Sequence, residues 1–190
     1  MTVLQIQQPS VEPVSLADAK EHLRIDTTAE DSLISALIVA ARSHVEAVTG
    51  VTLIHQTFRQ YLSEWPSGTV SLARFPAVRV EAVTSYDRQG DPHDTMAAAG
   101  ALQTMKRPAE LALDRAAVSV VDPGYNGVEI DFVAGYGATS VDVPPDLRRA
   151  VLMLVSQWYE FRGAIAPHQQ AVSVPDGFDA LIAPHRLVRL

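Results

Sequence analysis

Cysteine is absent from the 190 residues, which excludes disulfides, zinc–thiolate sites and thiol nucleophiles and leaves the redox compartment open. Basic charge is also short: 15 Lys and Arg stand against 22 Asp and Glu, a formal net charge of −7. Wrapping around nucleic acid needs a positive footprint, so it is disfavoured as the main activity. Long apolar runs are missing. The cleanest, "LISALIVAA" at 33–41, is about half the ~20 residues that cross a bilayer, and no membrane partner is expected. "MTVLQIQQPSVEP" has neither a basic stretch nor an apolar one of signal-peptide type, so a secretory signal is not expected. Internal repeats and low-complexity tracts are absent too. What remains is an ordinary globular composition, 47% hydrophobic and 19% charged, at a length suited to one generous domain.

Periodicity divides the chain. Pro9 and Pro13 make residues 1–14 an extended arm. Ser15 caps a short helix, "SLADAKEHLRI", with Asp18 completing a capping box. A second helix over 29–49 carries Leu33, Leu37, Ala40, Ala41, Val45 and Val48 on one side, and Gly50 ends it. From 51 the period becomes that of strands. Val78, Val80 and Ala82 alternate with Arg79 and Glu81, and Val128, Ile130 and Phe132 alternate with Glu129 and Asp131. The second run reads as half of a hairpin with "VSVV" across "DPGYNG", while 91–110 reads as a loop or weak hairpin. Helix returns over 144–163, opened by Pro144, Pro145 and Asp146.

The expected fold is α+β: a helical core of two N-terminal helices plus a long C-terminal helix, with an inserted small antiparallel β region. In one domain of 1–190, residues 15–50 and 144–163 form the helical core, 51–140 the β insertion and 164–190 a C-terminal tail. The 144–163 helix carries two apolar stripes. Leu147, Val151, Leu154, Trp158 and Phe161 make the first; Leu152, Val155 and Tyr159 lie about 100° round the axis. The second stripe needs its own partner, in this chain or another.

Catalytic motifs are scarce. Asp87, Asp91, His93 and Asp94 in "DRQGDPHD" are acceptable divalent-metal ligands, but their spacing is not that of an EF-hand and a polar turn explains them without a metal. The six histidines form no HExxH pair, and neither a G-x-S-x-G elbow nor a Walker loop is present. "AGYGA" at 134–138 lacks the third glycine of a dinucleotide site and reads as a bend leaving a strand. No cofactor and no metal site is assigned.

The order of "PVSLADAKEHLRID", a helix ending "EAVTG", "FPAVRVEAVTSYDRQG", "VEIDFVAGYG", "VPPDLRRAVLMLVSQWYEFRG" and "LIAPHR" resembles the head-tail connector, or adaptor, proteins of long-tailed bacteriophages and gene transfer agents. The resemblance implies a non-enzymatic virion or particle component at the head–tail junction, assembled in the bacterial cytoplasm. It implies a ring, usually a dodecamer, that binds the portal protein on one side and a neck or tail (stopper) protein on the other, with DNA passing through without specific binding. The C-terminal segment is what reaches the portal in that family. Phe178, Leu181, Ile182, Arg186, Leu187, Arg189 and Leu190 are therefore the portal-binding candidates, and Arg148, Leu152, Val155, Tyr159 and Arg162 the subunit-interface candidates. The alternatives are another neck or tail-completion protein, or a small metal-dependent hydrolase using the Asp87–Asp94 cluster.

Overall fold

Ser15 accepts a hydrogen bond from the Asp18 N–H at 3.0 Å and the Asp18 carboxylate accepts one back from Ser15 N. This capping box starts α1 (Leu16–Leu23), which Arg24 closes in the left-handed conformation. The computed structural model describes residues 2–66, 68–87, 89–114, 116, 127–161 and 174–186. Within them the chain forms β1 (Thr2–Gln7), α1, α2 (Asp31–Thr49), β2 (Gln56–Leu62), β3 (Gly68–Ser71), β4 (Ala77–Tyr86), β5 (Pro92–Asp94), β6 (Ala99–Gln103), β7 (Glu110–Leu113), β8 (Val128–Ala134), α3 (Pro145–Glu160) and α4 (Phe178–Ile182). It divides into two compact units: residues 1–9 with 55–135, and residues 10–54 with 136–190.

Among its described residues the first unit is built on β-strands, with one 3-10 turn at Met96–Ala98. One antiparallel sheet has the order β1-β2-β8-β4-β5 and a second the order β3-β7-β6. Alternation sends Phe58 of β2, Val83 of β4 and Val128, Ile130 and Phe132 of β8 into one apolar cluster with Leu72 and Leu111. Gln60 is buried with them at no cost in unmet polarity, because its amide donates to Ser71 O and accepts from Ala73 N, both at 3.0 Å. The second unit is helical: α1 and α2 pack on α3, and α4 packs on α3 as well. Gly50, at φ 76°, ends α2. Gly137 lies so near Asp142 that a Cβ would stand 2.3 Å from its side chain, and Asp142 completes a capping box with Thr139 just ahead of α3.

The expected fold class is overturned. The β part is not small: two sheets of eight strands hold the apolar cluster just described, so helices are not the core around which the chain is built. Nor is there a long helix at the C-terminus, where the described residues form only the five-residue α4 and a 3-10 turn over Ala183–His185. Several strands were hidden by short lengths and weak patterns. The segment read as a loop or weak hairpin, 91–110, supplies β5 and β6 and reaches the start of β7, with which β6 pairs, and part of the expected arm is β1, paired to β2. In β4, irregularities between Ala77 and Arg79 and between Val80 and Ala82 break the two-residue period. Val78 is consequently exposed, while Ala77, Val83 and Ser85 are buried. The "VSVV" half of the expected hairpin lies outside the described residues; β8 pairs with β2 and β4 instead.

Candidate partner-binding surfaces

On α3 the first stripe is buried as far as Trp158, with Leu147, Val151 and Leu154 fully inside. The second stripe is also met within the chain. Val155 is fully buried, and the Tyr159 hydroxyl donates to the Glu30 carboxylate ahead of α2. Val155 and Tyr159 therefore do not stand on a surface open to a neighbouring subunit, because the second partner the stripe required is the chain's own helical unit. Leu152 and Arg148 are half-buried beside a groove of about 220 Å³ that Val14, Asp18 and Arg149 also line. Arg148 Nε is buried without a hydrogen-bond partner among the described residues. Arg162 lies outside the described residues.

The C-terminal residues 174–186 pack onto this unit. Phe178 is 1% exposed, within ring contact of His44 at 5.9 Å, and His44 meets Trp158 edge-on at 5.9 Å. Ile182 is fully buried, Leu181 half-buried and Arg186 exposed, paired with Asp179 at 2.6 Å. His185 fastens the segment to the start of α3: its Nε2 lies 2.6 Å from Asp146 Oδ2 and its Nδ1 3.2 Å from the Tyr136 hydroxyl. Burial pushes the Asp146 carboxyl up, but the hydrogen bond and charge of His185, with the Leu147 N–H, outweigh it and hold the group below the usual carboxylate range. Phe178 and Ile182, two of the portal-binding candidates, are thus inward anchors in this conformation. Leu187, Arg189 and Leu190 lie outside the described residues.

Two charge clusters escaped the sequence reading. In the helical unit Arg42, 3% exposed, pairs with Glu12 at 2.7 Å and Glu46 at 3.0 Å, and Glu46 also accepts from Leu53 N at 2.8 Å. The i, i+4 spacing of Arg42 and Glu46 was visible, but such pairs usually face water. In the β unit Arg59 grips Asp131 through two 2.7 Å hydrogen bonds and meets Glu129 at 3.0 Å. Burial, followed by the contact with Glu129, raises the pKa of Tyr86.

The Asp87–Asp94 cluster is a turn stitched from its own side chains. Asp87 accepts from Gln89 N and Asp91 N, each at 2.9 Å, and lies 3.0 Å from His93 Nε2; Asp94 accepts from Met96 N at 2.8 Å. Among the described residues no group of three or more His, Asp or Glu side chains is placed to hold a metal ion.

Comparison with known proteins shows what the chain is similar to. A model of the Phage gp6-like head-tail connector protein family matches residues 13–90. A solved structure of the neck of an empty gene transfer agent particle, computed with C6 symmetry, superposes with a TM-score of 0.82 at 29% identity, covering 100% of this chain and 97% of the other. The chain is similar to head-tail connector proteins. The chain also resembles one in the virion of a native gene transfer agent particle, at a TM-score of 0.80 and 28% identity with the same coverage. A chain of the native particle's neck, computed with C12 symmetry, gives 0.77 and 29%, again with the same coverage. No curated protein matches the sequence. The solved chains it resembles are parts of gene transfer agent particles.

Proposed function

We propose that this chain is one subunit of a ring at the head–tail junction, joining the capsid portal to the neck and tail while DNA passes through. The likeness to neck chains over the full length of this connector carries the reading, and their C6 and C12 symmetries support copies arranged round an axis. A net charge of −7 suits a passage that DNA crosses without adhering. The axial partners are the portal protein on the head side and a stopper on the tail side, and the ring holds twelve copies. The portal contact falls to the C-terminal segment, where Arg186 is exposed and Leu181 half-buried, together with Leu187, Arg189 and Leu190; Arg148, Leu152 and Arg162 remain candidates for subunit contacts.

Deletion of the gene tests the reading. Producing cells are expected to release filled or emptied heads without tails, and complementation restores the junction. Reconstruction of the restored neck is expected to show one ring of this chain directly beneath the portal. Intact head–tail junctions in particles that lack the chain would sink the proposal.

A further inference from the structure

The solvent side of α2 is turned inside out. Between Ser32 and Thr49 the only charged side chains are Arg42 and Glu46, and both are buried in the ion pair with Glu12. What faces outward is Leu33, Ala36, Val39, Ala40, Ala47 and Val48, separated by serines. Leu33 is 37%, Val39 43% and Val48 37% exposed. The apolar face continues at Ser35 and Val39 into a groove of about 490 Å³ walled by Val11, Val14 and Leu16. A helix solvated on its own would carry its charges on this side and its alanines within. By length and composition α2 could even cross a membrane, but the ion pair and the apolar residues beside it, Ile34, Ile38 and Val45, show which side meets the protein.

We infer that the outer face of α2 is where a second copy of this chain docks in the ring, an inference that rests on the connector reading above. Charge selects the occupant. Two copies of a chain with net charge −7 repel wherever acidic surface meets acidic surface, so self-contact is favoured where no charge is presented. A basic partner such as a cationic protein arm would gain nothing from this face. Alanines and serines let another backbone approach closely, with Leu33, Val39 and Val48 as apolar anchors. The face is also limited in size. A helix of 19 residues is about 28 Å long and, at a width of about 10 Å, offers about 300 Å². That is less than half of the ~800 Å² per partner of a stable interface. The contact therefore holds copies already set side by side by the particle and does not assemble them in free solution.

The test uses the full chain in assembled particles. A photo-crosslinking benzoylphenylalanine is placed at Ala40 and, in a second variant, at Ala36; purified particles are irradiated and the products mapped by mass spectrometry. Covalent ladders of this chain, linked from α2, are expected. In parallel Ala40→Glu is expected to keep the melting temperature of the isolated chain within about 2 °C while lowering its incorporation into particles at least tenfold. Crosslinks only to a different particle protein, or normal incorporation of A40E, would overturn the inference and leave the connector reading intact. Absence of the wild-type chain from purified particles would overturn the connector reading itself, and the inference with it.

Discussion

Arg42 carries a full charge inside the helical unit, and its two carboxylate partners are themselves only partly hydrated. Removing one partner of a buried pair leaves the other desolvated and unmet, which costs about 3–5 kcal/mol. Arg42→Met is therefore expected to lower unfolding free energy in urea by about that amount, and Arg42→Met with Glu46→Gln to recover part of it. Asp146 gives a pH signature. Its pKa is lowered in the folded chain, so its stabilisation is whole above the ordinary value of 3.8 and is lost as pH falls through the lowered one. Asp146→Asn is expected to be less stable than wild type at pH 7 by at most about 1 kcal/mol, since such half-solvated pairs are screened. Urea midpoints of the two proteins should start to converge only below the ordinary value of 3.8 and meet once pH is below the lowered one.

At the scale of the element, legibility followed how completely side-chain polarity tracked burial. The helix boundaries of α1, α2 and α3 were readable because Ser15, Gly50 and the Pro144–Pro145 pair signal caps by local chemistry alone. The buried side of α2 was not. The apolar pattern groups Leu33, Leu37, Ala40, Ala41, Val45 and Val48 on one side, whereas Ile34, Ile38, Ala41, Arg42, Val45, Glu46 and Thr49 are buried. An ion pair that satisfies itself can occupy the interior, and hydrophobic patterning then points to the wrong side. The strands β5, β6 and β7 were too short for alternation to show, and the irregular register of β4 hid its period. The C-terminal anchors were legible as apolar residues but not as to what they touch. Since Phe178 fills space between His44 and α3, Phe178→Ala is expected to destabilise the chain by about 3–5 kcal/mol in urea unfolding. A loss below about 0.5 kcal/mol would mean that the segment leaves α3 readily, as a free docking tail must.

Across the whole molecule, the resemblance of ordered pieces pointed to the proposed role before any single site did, because no compact motif marks it. Its backbone passes between the two units three times, after residues 9, 54 and 135. That threading bears on how the chain is made. Strand β1 leaves the ribosome long before its mate β2, and the five-stranded sheet lacks the strand between β2 and β4 until β8 has been synthesised. Helices α1 and α2 likewise wait for α3, some hundred residues later. A nascent chain stopped at residue 90 has neither unit complete, so the stretch that matches the family model, 13–90, is a recognisable signature but not a separable module. The chain can complete its fold only near the end of translation. Until then its newborn helices, α2 with its charge-free flank among them, are substrates for chaperones rather than parts of a particle.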